Sequence, residues 1–136
     1  MNAVEQIYAH PPVAQKPLTI VLDLPFPPSV NHIWRRAGRR VYRAAKYMRW
    51  LDAADVMVMA AKQYPRRKIV SHFTAEILLN EDAGYGDADN RIKAILDWCQ
   101  SRDVIFDDKD CRELTVKWAA HESAPQGARI TLRGVS

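Results

Sequence analysis

Leu18, Ile20, Leu22 and Leu24 fall on every second residue, and a period of two puts them on one face of a strand over 18–24. Pro25-Phe26-Pro27-Pro28 ends it, because proline lacks a ladder N–H and fixes an extended course. Val41 and Tyr42 predict a short strand or hairpin within 39–43. From Ala44 to about Gln63 the period lengthens to that of a helix. Tyr47, Leu51, Ala54, Val58 and Ala61 make one apolar stripe, and Trp50, Ala53, Met57 and Ala60 an adjoining one. A surface this broad calls for burial against a sheet and against something else, such as a second subunit. Tyr64-Pro65 is the predicted stop.

Ile69 to Asn80 predicts a long strand with Phe73, Ala75, Ile77 and Leu79 on one side. Asn90 to Cys99 predicts a second helix, its apolar face made by Ile92, Ile95, Leu96 and Cys99 and its N-cap by Asp89. Val104-Ile105-Phe106 is an apolar trio suited to anchoring Asp107-Asp108 against the core. Arg112 to His121 alternates as a strand with Leu114, Val116, Trp118 and Ala120 inward. Pro125-Gln126-Gly127 turns the chain into a hairpin partner over 128–133. The order β-α-β-α-β-β predicts a small α/β domain with one mixed sheet and two main helices over 18–136, preceded by a loose arm, 1–17, that contains Pro11, Pro12 and Pro17.

Composition narrows the class. At 136 residues, 48% hydrophobic and 26% charged, the chain is long enough for a real core and does not have the composition of a disordered chain. Cys99 and Cys111 have neither metal-ligand spacing nor the density of a disulfide framework, which fits a reducing cytoplasm. No apolar run reaches the ~18 residues of a membrane span, and the N-terminus lacks a signal-peptide plan.

The net charge is +4, but its distribution says more. Residues 35–49 hold seven bases (Arg35, Arg36, Arg39, Arg40, Arg43, Lys46 and Arg49) and no acid, whereas 81–113 hold ten acids against five bases. Arg66-Arg67-Lys68 forms a second basic turn. The basic run reads as a polyanion-binding surface or as a solvated face. Trp34, beside Asn31 and His32, reads as a stacking aromatic or a core one.

The chemistry centres on Gly84-Tyr85-Gly86-Asp87-Ala88-Asp89-Asn90-Arg91-Ile92-Lys93 and on Asp107-Asp108. Two aspartates one residue apart share a side if the segment is extended. Lys93 stands one helical turn beyond Asp89. Carboxylate oxygens suit a hard divalent cation, while helix N–H groups and a lysine suit a phosphate. A basic surface next to such a cluster is what a metal-dependent nuclease needs. His10, His32, His72 and His121 are not required by this chemistry and read as surface or packing residues.

Pro27-Pro28-Ser29-Val30-Asn31, the Asp87-Ala88-Asp89-Asn90 run with Lys93, and Val104-Ile105-Phe106-Asp107-Asp108 together resemble the RusA family of Holliday-junction resolvases over roughly 18–132. The resemblance implies a two-fold homodimeric, Mg²⁺-dependent endonuclease of bacteria or their phages, cutting four-way DNA junctions symmetrically in recombination and repair, with Mn²⁺ as a second usable ion. It implies Asp87, Asp89 and Asp108 as metal-binding catalytic carboxylates, Lys93 as the basic residue of the site, and Asp107 as a contributor. DNA contacts would come from Asn31, Arg35, Arg36, Arg39, Arg40, Arg43, Arg66, Arg67 and Lys68. One departure stands out: family members often carry basic residues just before the first aspartate, where this chain has Asn80-Glu81-Asp82-Ala83-Gly84-Tyr85-Gly86. Two other readings stay open, a DNA-binding protein without catalysis and a metal-dependent phosphodiesterase acting on another nucleic acid.

Overall fold

The computed structural model describes residues 18–37 and 40–135, so the arm 1–17, His10 and Arg39 lie outside the described residues. Strand β1 (Thr19–Pro25) is followed by a hairpin of β2 (Trp34–Ala37) and β3 (Arg40–Arg43), helix α1 (Ala45–Ala60) and β4 (Phe73–Asn80). Helix α2 (Ile92–Ser101), β5 (Cys111–Ala119) and β6 (Gly127–Gly134) complete the order. Four strands form one mixed sheet, β1-β6-β4-β5, in which only β4 and β5 run parallel. The β2–β3 hairpin stands apart from it. This is the α/β domain that the alternation and periodicity predict, except that β6 is not a hairpin partner of β5: it lies between β1 and β4 and pairs antiparallel with both.

Register makes the core. Rows Ile20–Leu132–Ala75–Leu114, Leu22–Ile130–Ile77–Val116 and Leu24–Ala128–Leu79–Trp118 cross the sheet on a single face. Both helices pack there, through Tyr47, Trp50, Leu51, Ala54 and Val58 of α1 and Ala94, Ile95, Trp98 and Cys99 of α2. Leu114 departs from the expected inward placement and is 41% exposed. It lies on the edge strand β5, at the rim of the apolar layer, whereas Val116 and Trp118 pack against the core. Ala120 is also exposed, lying just past the end of β5. The opposite edge, β1, is partly closed: Gln63 Oε1 accepts from the Asp23 N–H at 2.9 Å, and Trp50 Nε1 donates to the Pro25 carbonyl at 3.0 Å. These side chains occupy backbone groups that would otherwise recruit another strand.

The helix ends differ from expectation. The α1 helix stops at Ala60, before Tyr64-Pro65, because Lys62 adopts a left-handed conformation (φ 56°) and Gln63 N–H returns to the Val58 carbonyl at 3.0 Å. Asp103 (φ 59°) ends α2 in the same way, with Val104 N–H on the Cys99 carbonyl at 2.8 Å. The second stripe of α1 is only partly covered: Trp50 is buried, but Ala53 and Ala60 are exposed, and Val56 and Met59, which belong to neither stripe, are 68% exposed each. The strand expected from Ile69 begins at Phe73, and Ile69 instead makes a lone parallel bridge to Ile105. Val104 and Ile105 are buried as anchors, but Phe106 is 60% exposed.

One polar cluster fastens the two helices together. Asp55 on α1 accepts from Arg102 Nε and Nη2 at 2.7 and 2.8 Å and from Trp98 Nε1 at 2.8 Å. The Arg102 hydrogen bond is the main reason the Asp55 carboxyl lies below the ordinary range, against the upward push of burial. Asp55→Asn leaves a weaker acceptor for a bidentate guanidinium and is expected to cost about 2 kcal/mol in urea unfolding. Since the folded-state pKa is depressed, this contribution is present above the ordinary aspartate pKa of about 4 and is lost as pH falls through the folded value. The gap between wild type and Asp55→Asn should therefore narrow in acid, and a constant gap would assign the loss to packing.

Candidate active site

Three short 3-10 turns gather around α2. The first, Val30–His32, packs against the second, Ala88–Arg91, and the third, Asp108–Asp110, lies along the helix. Ser29 caps the first by accepting the Asn31 N–H at 3.2 Å.

The expected geometry of the Asp87–Asp89 segment changes in two respects. Asp87 is extended (φ −80°, ψ 121°), but Ala88–Arg91 is already a 3-10 turn running into α2. Period two therefore ends at Asp87, and the two aspartates do not share a side through strand alternation. Asp89 is not the N-cap of the helix either: Arg91 holds that position without a side-chain cap. Both carboxylates are exposed. Among the described residues, no three His, Cys, Asp or Glu side chains converge closely enough to hold a metal ion.

Lys93 is engaged elsewhere than above Asp89. Its Nζ lies 3.0 Å from Asp97 Oδ1 and 3.9 Å from Asp108 Oδ2. Gln100 Oε1 accepts the Asp108 N–H at 2.9 Å. Lys93, Asp97 and Gln100 are spaced i, i+4 and i+7, so one polar stripe of α2 holds the Asp108 turn at two points. Asp97 and Gln100 escaped the sequence reading, although that spacing from Lys93 was a usable signal. The hydrogen bond to Asp97 raises the Lys93 ammonium above the ordinary lysine range, outweighing burial, and the charges of Asp97 and Asp108 add to the effect. Asp107 uses Oδ1 to accept the Lys109 N–H at 2.9 Å, which caps the third turn and lowers its carboxyl.

Arg91 is the other residue that periodicity did not single out. Its Nη1 donates to the Pro27 carbonyl at 3.0 Å and its Nη2 to the Tyr85 carbonyl at 3.3 Å. The guanidinium lies 4.9 Å from the Phe26 ring centroid, and Phe26 in turn stacks on Trp118 at 5.9 Å. A charged group spanning two loops thus joins the proline-rich segment to the loop carrying the aspartates. Gly84 is required here, since a Cβ would run into the Phe26 ring.

The basic residues divide by location. Ile69 N–H donates to the Val104 carbonyl and Phe106 N–H to the Ile69 carbonyl, both at 2.9 Å, which sets the Arg66–Lys68 turn beside the segment leading to Asp107-Asp108. Lys68 Nζ lies 5.4 Å from the Phe106 ring centroid and 3.7 Å from Asp103 Oδ1. Arg35, Arg36, Arg40 and Arg43 lie on the β2–β3 hairpin, registered Arg35↔Tyr42, Arg36↔Val41, Ala37↔Arg40 and Trp34↔Arg43. The side chains of Arg35, Arg40, Arg43 and His32 lie outside the described residues, whereas Arg36 is exposed. Trp34 is 51% exposed. His72 meets Arg112 at 2.9 Å, and His121 meets the buried Asn80 amide at 3.0 Å, so neither faces the aspartates through these contacts.

Both cysteines are free thiols, and burial pushes Cys99 up to about 12. Among the described residues, no helix is long and apolar enough to cross a membrane. Residues 25–133 match a known family described as endodeoxyribonuclease RusA, and no curated protein matches the chain.

Proposed function

Because the chain belongs to the RusA family of endodeoxyribonucleases, we propose that it is a Mg²⁺-dependent, structure-selective DNA endonuclease resolving Holliday junctions by paired symmetric cuts. The observation that carries this is the docking of the Asp108 turn along Lys93, Asp97 and Gln100, within the matched span and at the helix that follows Asp87 and Asp89. It supports one reacting centre built from two distant parts of the chain.

The donors fit the proposed ion in chemistry. Mg²⁺ takes carboxylate oxygens and is often held by only one or two of them, with water and substrate phosphate completing the shell. No three of these carboxylates converge among the described residues, so Asp87, Asp89 and Asp108 would hold it only once the ion and the phosphate draw them together, with Asp107 as a further contributor and Mn²⁺ as an alternative. A bound Mg²⁺ would neutralise phosphate charge and acidify an attacking water. Lys93, kept cationic by Asp97, would offset the charge that builds on the phosphoryl oxygens, so its role is electrostatic and not that of a base. Gln100 holds the Asp108 backbone and Arg91 holds the loop before Asp87, so both sets of carboxylates are tied to α2 or its N-cap.

A two-fold homodimer would match the symmetry of a four-way junction. What supports it is the apolar face of α1, with Val56 and Met59 exposed beside Ala53, Met57 and Ala60. Light scattering should give twice the 15.5 kDa chain mass, and a 15.5 kDa species alone would remove the dimer from the proposal. The DNA surface would be the basic hairpin, with Asn31 and the Arg66–Lys68 turn beside the site. Neutralising Arg35, Arg36, Arg39 and Arg40 together should weaken binding and flatten the log–log salt slope by up to ~3.6, since each phosphate contact contributes ~0.9. An unchanged slope would move the surface to Arg66-Arg67-Lys68. Cleavage should be strongest on a four-way junction across a panel with duplex, single strand and RNA. Equal cutting of RNA would favour a broader phosphodiesterase, and binding without cutting a non-catalytic protein.

A further inference from the structure

We propose that Tyr85 stacks on a DNA base left unstacked at the branch point, beside the phosphate addressed by Asp87 and Asp89; this rests on the endonuclease reading above. Tyr85 is 87% exposed, more than any other large apolar side chain described. Among the described residues its ring has no stacking or hydrogen-bonding partner. Its backbone, by contrast, is held: Arg91 donates to its carbonyl, Gly84 before it lies against Phe26, and Gly86 after it takes a left-handed turn at φ +98°. The ring is thus presented from a fixed loop, two residues before Asp87.

Charge does not explain what this loop recognises. Glu81 and Asp82 are exposed and would repel phosphate, and 80–86 contain no base. An uncharged aromatic face remains, and its natural partner in DNA is a base. Duplex bases are stacked on both sides, so such a face is best satisfied where stacking is interrupted, as at a strand exchange. Phe106 is a weaker candidate, because it is 60% exposed and Lys68 already lies over its ring.

Replacing the ring separates stacking from simple apolar contact. Tyr85→Ala and Tyr85→Leu should each slow single-turnover junction cleavage at least about tenfold, the scale of one lost base–aromatic stack, whereas Tyr85→Phe and Tyr85→Trp should stay within about twofold of wild type. Equal rates for wild type and Tyr85→Ala, or rescue by Leu as complete as by Phe, would overturn the assignment and leave the endonuclease reading standing. A wild-type protein that cuts no DNA at all would overturn both.

Discussion

Asp87→Asn, Asp89→Asn and Asp108→Asn should each reduce junction cleavage at least about 10³-fold, the upper range for removing one group that stabilises a transition state. Each substitution takes one negative charge from the proposed cation site without changing side-chain size. Junction affinity should be retained or rise, because fewer carboxylates then face the phosphates. Asp87 and Asp89 are exposed and neither makes a side-chain cap, so their variants should unfold at the wild-type urea midpoint. Asp108 gives up a 3.9 Å approach to Lys93 and keeps a polar side chain beside Asp107, and its backbone stays on Gln100. Single-turnover cleavage in Mg²⁺ beside an equilibrium binding curve checks all three. A variant cutting at near wild-type rate removes that residue from the site.

Lys93→Ala should lower the single-turnover rate by about 10²-fold while shifting junction affinity less than about threefold. The ammonium is half-exposed, but it is paired with Asp97 and faces Asp108, unlike an unpaired general phosphate contact. Its raised pKa keeps it charged throughout the neutral range, with the charge lost only above the ordinary lysine value of about 10.4. A rate profile from pH 7 to about 9 should therefore show no loss assignable to this lysine. Proportional losses of rate and affinity would demote Lys93 to an ordinary backbone contact.

The sheet was legible because its strands alternate cleanly: Ile20, Leu22 and Leu24 face the same way as Phe73, Ala75, Ile77 and Leu79, and all are buried. Alternation gave the face of Leu114 and missed its exposure, which depends on edge position and not on pattern. Both helices were visible in their apolar stripes, but their ends were not. Lys62 and Asp103 take the left-handed conformation usually associated with glycine, and no breaker residue marks them. Within the candidate site, residue types were readable and pairings were not. A carboxylate two residues from another predicts a shared side only in an extended segment, and the turn at Ala88–Arg91 removes that premise. Arg91 was hidden for a different reason. Its partners, Pro27 and Tyr85, are backbone carbonyls, and one of them is 64 residues away.

Cleavage of an end-labelled four-way junction, mapped on all four strands in Mg²⁺ and again after EDTA, tests the central claim most directly. The predicted result is one pair of cuts at two-fold-related positions in opposing strands, present in Mg²⁺ and absent in EDTA. Cutting that persists in EDTA, or a junction bound but left intact in Mg²⁺, would contradict it.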